Sequence, residues 1–169
     1  MKTYTKDNYI LRRFLPEEWE AYRDIRLEAL QISPEMFGSN YAKESQYTKE
    51  DWLGAVDNPH RAMFGLYLNK NIVGVTGVAF VKEDHSQAVL IASFICPEYR
   101  GKGLSKLFYE ARLDWARDMG CNSIVVSHRE DNNPSKGANQ SFGFKYTHSD
   151  SREWSDGKNL SQLYYILEL

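Results

Sequence analysis

Ala88-Val89-Leu90-Ile91-Ala92-Ser93-Phe94-Ile95-Cys96-Pro97, followed after two residues by Arg100-Gly101-Lys102-Gly103-Leu104-Ser105, decides the fold. The first stretch is rich in β-branched and aromatic residues and stops at Pro97, the pattern of a buried strand. Beyond the glycines, Leu104, Leu107, Phe108, Ala111, Trp115 and Met119 recur at helical spacing, and Gly120 supplies a stop. A glycine-bearing turn between strand and helix presents backbone N–H groups at the positive end of a helix dipole, where a phosphate or pyrophosphate binds. The glycine spacing excludes two familiar nucleotide sites. A P-loop requires glycine at position 96 and Ser or Thr after Lys102, and the chain has Cys96 and Gly103 there. A dinucleotide fingerprint requires glycine at position 106, which is Lys106.

Outward from this centre, elements alternate without a low-complexity linker. Tyr9 to Arg13 reads as a short first strand. Pro16, Glu17 and Glu18 open a helix whose apolar face carries Trp19, Tyr22, Ile25, Leu27, Ala29 and Leu30, and Ser33-Pro34 ends it. Glu35 to Lys49 is irregular and aromatic, and a short helix follows over Glu50 to Val56. Ala62 to Leu68 and Ile72 to Val81 form a hairpin around Asn69-Lys70-Asn71, and Glu83 to Ser86 turns the chain into the strand that ends at Cys96. After the long helix come a strand at Ser123 to Ser127, a helix over Asn132 to Phe142, and strands over Phe144 to Trp154 and Leu160 to Leu169. The expectation is a single-domain α/β protein, residues 1–169, with a mixed sheet of about seven strands and about four helices.

Composition narrows the function classes. The chain has 169 residues, 42% hydrophobic and 26% charged, with a formal net charge of −2. These values fit one globular domain and give no extended basic face for nucleic acid. No apolar run reaches membrane-spanning length, and the first residues lead into no signal-peptide core. Cys96 and Cys121 read as reduced core thiols, so a cytoplasmic location is expected. His60, His85, His128 and His148 are scattered singly, so no metal site is expected.

Arg-x-x-Gly-x-Ser after a strand and Pro97 resembles the coenzyme A signature of the GNAT superfamily of N-acetyltransferases, usually Gln/Arg-x-x-Gly-x-Gly/Ala. Asn132, Ser135 and Gly143-Phe144 resemble its second motif, about thirty residues on, and the order of elements resembles the GNAT (acyl-CoA N-acyltransferase) fold along nearly the whole chain. The resemblance implies acetyl-CoA as co-substrate and no metal. It implies that backbone groups of Phe94, Ile95 and Cys96 hold the pantetheine arm where two strands splay. By the same resemblance Arg100, Gly101, Lys102, Gly103, Leu104, Ser105 and Lys106 take the pyrophosphate, with Asn132, Ser135 and Asn139 completing the site. Many relatives carry Tyr, a proton donor to the leaving thiolate, where this chain has Asn139. An amide is no useful acid, although a thiol of pKa ~8.5 leaves tolerably without full protonation. Acid help then comes from water, another Tyr, or nothing.

No general base is evident. Residues 88–96 contain no carboxylate, and Ser93, Cys96, His85, His128 and Glu130 are only places through which a proton could pass, so catalytic residues remain unassigned. Phe37, Tyr41, Glu44 and Trp154, with Tyr164, are the candidates to line an acceptor pocket, where aromatic walls and a carboxylate suit a cationic amine. The expected activity is acetyl transfer to a primary amine of a small molecule. The alternatives are transfer to a protein N-terminus or lysine, or a coenzyme A-binding module with little turnover. The resemblance also brings self-association into a homodimer through an exposed final strand.

Overall fold

The structure is a computed structural model that describes residues 1–169. A sheet in the order β1-β2-β3-β4-β5-β6-β8-β7 separates two helical layers. Its strands are β1 (Thr3–Lys6), β2 (Tyr9–Arg13), β3 (Arg61–Leu68), β4 (Asn71–Val81), β5 (Asp84–Ile95), β6 (Ser123–Arg129), β7 (Lys145–Glu153) and β8 (Asn159–Glu168). The helices are α1 (Trp19–Ile32), α2 (Tyr41–Glu44), α3 (Lys49–Val56), α4 (Ser105–Asp118) and α5 (Asn133–Ser141). All neighbours pair antiparallel except β5 and β6, which run parallel.

The mixed α/β class stands, with one more strand and one more helix than expected. Strand β1 was missed because Thr3-Tyr4-Thr5-Lys6 has no buried residue, and only its pairing with Tyr9–Arg12 makes it a strand. Helix α2 is a single turn inside the aromatic stretch, held by Asn40, whose Oδ1 accepts from the Lys43 N–H at 2.8 Å. In α3, Thr48 and Asp51 cap the first turn reciprocally, which fixes where that helix starts.

Two cores form, one on each face of the sheet. On one, α4 lays Leu107, Phe108 and Ala111 against Leu11, Phe64, Leu66, Val78 and Leu90. On the other, α1 and α3 set Tyr22, Ile25, Ala29, Trp52 and Val56 against Phe14, Met63, Val75 and Phe94. Residues alternate between faces along a strand, yet Leu90 belongs to the first core and Phe94 and Cys96 to the second. The change of phase lies at Ala92. Gly77 pairs Ile91 and Val75 pairs Phe94, so β5 carries one residue more than β4 over this span. The extra residue is a β-bulge, and Ala92 takes φ +60° within it.

The bulge bends β5 away from β6. Their pairing covers only Gln87–Val89 against Ser123–Val125, and beyond it the strands diverge into a wedge. A left-handed conformation costs an alanine little more than strain, but it crowds a β-branched side chain severely. Ala92→Gly is therefore expected to keep the thermal midpoint within a few degrees. Ala92→Val is expected to cost about 2 kcal/mol, read as a lower midpoint in thermal denaturation.

Candidate active site

The wedge between β5 and β6 is a cleft of about 250 Å³. Its walls come from Leu90 to Ile95 on β5, Val126 to His128 on β6, one face of α4 and one face of α5. At its mouth lies the Arg100–Ser105 turn. Gly101 has φ +76° and Gly103 φ +72°, so successive N–H groups face one side of the turn. None of the backbone N–H groups from Gly101 to Lys106 has a hydrogen-bond acceptor within the protein. Such unpaired N–H groups at the start of a fourteen-residue helix suit an anion.

The residues picked from sequence fall into three groups. Phe94, Ile95, Arg100, Ser105, Asn132, Ser135 and Asn139 all line the cleft. Gly101, Lys102 and Gly103 form the exposed turn at its mouth, and Lys106 points to solvent toward Glu110, 3.8 Å away. Cys96 and Leu104 turn inward. Cys96 packs beneath α1, its N–H already donates to Val73 O, and burial pushes its thiol up to about 11, with Glu28 adding to the effect. Leu104 anchors the turn in the core and contributes only its backbone to that set of N–H groups. Ile95 O is likewise occupied, accepting from Arg100 Nε at 2.7 Å. Sequence reasoning also missed Lys6: from β1, its Nζ donates to Lys102 O at 2.5 Å and brings a further positive charge to the turn.

Deeper in the cleft, the Tyr109 hydroxyl donates to Asn139 Oδ1, and Tyr109 stacks on Phe142. Asn139 is 1% exposed and its Nδ2 has no partner. His128 Nδ1 lies 2.7 Å from Arg129 O, a carbonyl that can only accept, so the proton sits on Nδ1 and Nε2 is a bare acceptor. That Nε2 is also buried without a partner, and burial lowers the histidine pKa. One wall thus holds an orphan donor and an orphan acceptor, the complement of a secondary amide. An acyl-carrier arm containing amides fits them.

A second cavity of about 440 Å³ lies across β5, among α1, α2 and α3. Met36, Phe37, Ile91 and Ala92 line both cavities, which therefore meet at the bulge. Phe37, an acceptor-pocket candidate from the sequence, lies on the wall shared by the two cavities. Glu44 also lines the second cavity but is not free for a cationic amine: Arg26 donates to both its oxygens at 2.9 Å. Burial alone would raise the Glu44 pKa, and the paired bonds from Arg26 outweigh it and hold the carboxyl below its usual range. Tyr41 is 39% exposed and lines neither cavity. Trp154 is a correction: it is buried in the β7–β8 turn, where its Nε1 donates to Leu160 O and Arg129 lies over its ring. Tyr164 stacks on His148 away from both cavities. His85 stacks on Phe80, and Glu130 accepts from the Ser161 N–H, so neither reaches the cleft.

A family model described as the acetyltransferase (GNAT) family matches residues 16–144. A candidate ribosomal protein bS18-alanine N-acetyltransferase of Bacillus subtilis (strain 168) is 26% identical over 129 residues, covering 74% of this chain and 80% of its own. Among solved structures, a ribosomal-protein-S5-alanine acetyltransferase from Vibrio fischeri superposes with TM-score 0.81 at 12% identity, covering 99% of this chain and 97% of its own. A candidate acetyltransferase from Salmonella typhimurium, solved with acetyl-CoA, gives 0.79 at 18% identity, covering 96% and 95%. The chain belongs to the acetyltransferase (GNAT) family, the acetyl-CoA-dependent N-acetyltransferases.

The Arg26–Glu44 pair is a stability element with a defined pH window. Side-chain exposures of 12% and 6% leave little water to compensate a lost partner. Glu44→Gln is expected to cost about 3 kcal/mol at neutral pH. A depressed carboxyl stabilises fully above the ordinary value of about 4.3 and loses that contribution as pH falls through its native value. Chemical denaturation should therefore show wild type and Glu44→Gln converging in acid.

Proposed function

We propose that this protein transfers the acetyl group of acetyl-CoA to a primary amine by direct attack on the thioester, with the donor in the cleft and the acceptor in the second cavity. The meeting of the two cavities at Ala92 carries this reading, because it gives an amine and an acyl carbon one common point. The free N–H groups of Gly101 to Lys106, with Arg100 and Lys6 beside them, suit the diphosphate. Asn132 and Ser135 at the start of α5, with Asn139 and His128 further in, suit the pantetheine arm.

Holding two reactants at one point supplies much of the catalysis such a transfer needs. The amine nitrogen must arrive neutral, and no carboxylate stands on the cleft wall to take its proton. Acetyl transfer on this reading draws on the neutral fraction of the amine, and water is the proton acceptor. A small-molecule amine is the first acceptor class, matched to the buried aromatic and apolar side chains of Tyr22, Phe37, Trp52 and Met63 on the cavity wall. A protein N-terminal amine is the second, favoured by the bacterial relative named as a ribosomal protein bS18-alanine N-acetyltransferase.

Release of free thiol from acetyl-CoA, followed against polyamines, amino acids and alanine-initiated peptides, decides between them. Turnover confined to peptides would overturn the small-molecule reading, and turnover with no amine would overturn both. Gly103→Val is expected to weaken acetyl-CoA binding at least tenfold, since a β-branched residue resists the φ of +72° that aims those N–H groups. Isothermal titration measures that loss, and undiminished affinity would place the diphosphate elsewhere.

A further inference from the structure

Three charged side chains are buried: Glu44, Arg112 and Arg129. Glu44 is paired with Arg26, and Arg129 with Asp131 and Asp156. Arg112 is 3% exposed and has no opposite charge within ion-pair distance. Its Nε donates to Phe108 O at 3.0 Å, its Nη1 donates to Ser93 Oγ at 2.6 Å, and its guanidinium lies 4.8 Å from the centre of the Tyr109 ring. Burial lowers its pKa to about 10, so it remains a cation at neutral pH. It also lines the cleft, whose wall includes no Asp or Glu. A buried cation without a counter-charge is costly unless something supplies one.

We propose that the missing counter-charge arrives with the ligand, and that Arg112 stabilises the thiolate that leaves when the acetyl group is transferred. This rests on acetyl-CoA occupying the cleft. Ser105, Tyr109 and Arg112 follow one another along a single face of α4, and Arg112 lies about 10 Å beyond Ser105 along the helix axis. A chain that starts from phosphates at Ser105 meets the Tyr109–Asn139 pair first and Arg112 after it. The sulfur, at the far end of such a chain, reaches the depth of Arg112 and Ser93. Ser93 is the residue after the bulge. Its Oγ also touches Thr76 Oγ1 at 2.8 Å, which fixes it beside the guanidinium.

The chemistry there needs a cation more than an acid. The amine nitrogen forms a bond to the acyl carbon, the carbon–sulfur bond breaks, and its electron pair leaves on sulfur. The amine gives its proton to water, and the thiolate takes one from water after release. Asn139 offers an N–H but no transferable proton, and the Tyr109 hydroxyl is committed to Asn139 Oδ1. A fixed guanidinium stabilises the developing charge on sulfur without any proton transfer.

The test is the ionisation of coenzyme A bound to the full chain, read from ultraviolet thiolate absorbance against pH, with the dethio-coenzyme A complex as blank. The cleft's titratable and charged groups are Arg100, Tyr109, Arg112 and His128. Burial lowers His128 and raises Tyr109, which moves both away from the thiol's range. Burial also raises both protein thiols, Cys96 and Cys121. Bound coenzyme A is expected to ionise roughly one to three units below the ordinary thiol value of about 8.5. Arg112→Gln should return it to the ordinary value while keeping dethio-coenzyme A affinity, and Arg112→Lys should keep part of the shift. An unshifted thiol in the wild type overturns the proposal, whatever the variants do. Tighter binding of succinyl-CoA than acetyl-CoA, lost in Arg112→Gln and without a thiol shift, overturns it too by assigning the charge to an acyl carboxylate. Failure of the wild type to bind coenzyme A or dethio-coenzyme A overturns instead the reading on which the proposal rests.

Discussion

One extra residue in β5 organises the site. Because Ala92 is inserted opposite β4, the strand changes phase, and Leu90 and Phe94 pack on opposite faces of the sheet. The same insertion ends pairing with β6 at Val89 and opens the cleft. It also brings the cleft and the second cavity to one point, so the strained backbone and the junction of the two cavities share one cause. The layers on either side hold the bulge in place, α4 from one face and α1 with α3 from the other.

Charge is distributed around that point with a consistent sign. The turn at Gly101 to Lys106 offers unpaired N–H groups, Lys6 and Arg100 flank it, and Arg112 lies at the other end. Carboxylates near the cavities are committed elsewhere: Glu44 to Arg26, and Asp51 to the cap at Thr48. A positively lined channel with little competing negative charge favours an anionic ligand.

The glycine turn was legible because its signal is local. Glycines forced to positive φ, a strand before them and an amphipathic helix after them can be read from spacing alone. Asn132 and Ser135 were legible for the same reason, since the cap at Asn132 acts on a residue three positions away. Arg112 and Tyr109 were passed over because the helix was read for its apolar residues. Yet their spacing from Ser105 places both on the face that borders the cleft. Trp154 was misplaced because an aromatic near a pocket-forming strand looks the same in sequence whether it faces ligand or, as here, closes a hairpin turn.

The sequence by itself determined the family, the alternation of strands and helices, and the glycine turn ahead of α4, because periodicity, capping and glycine placement are properties of neighbouring residues. Tertiary structure alone decided which groups meet. The pairing of β1, the bulge at Ala92, the Arg26–Glu44 bond and the solitary charge of Arg112 depend on contacts between residues far apart in the chain. An alanine in a strand and an arginine on a helix carry no local mark of strain or of a missing partner. Those properties exist only once the sheet and helices have packed around them.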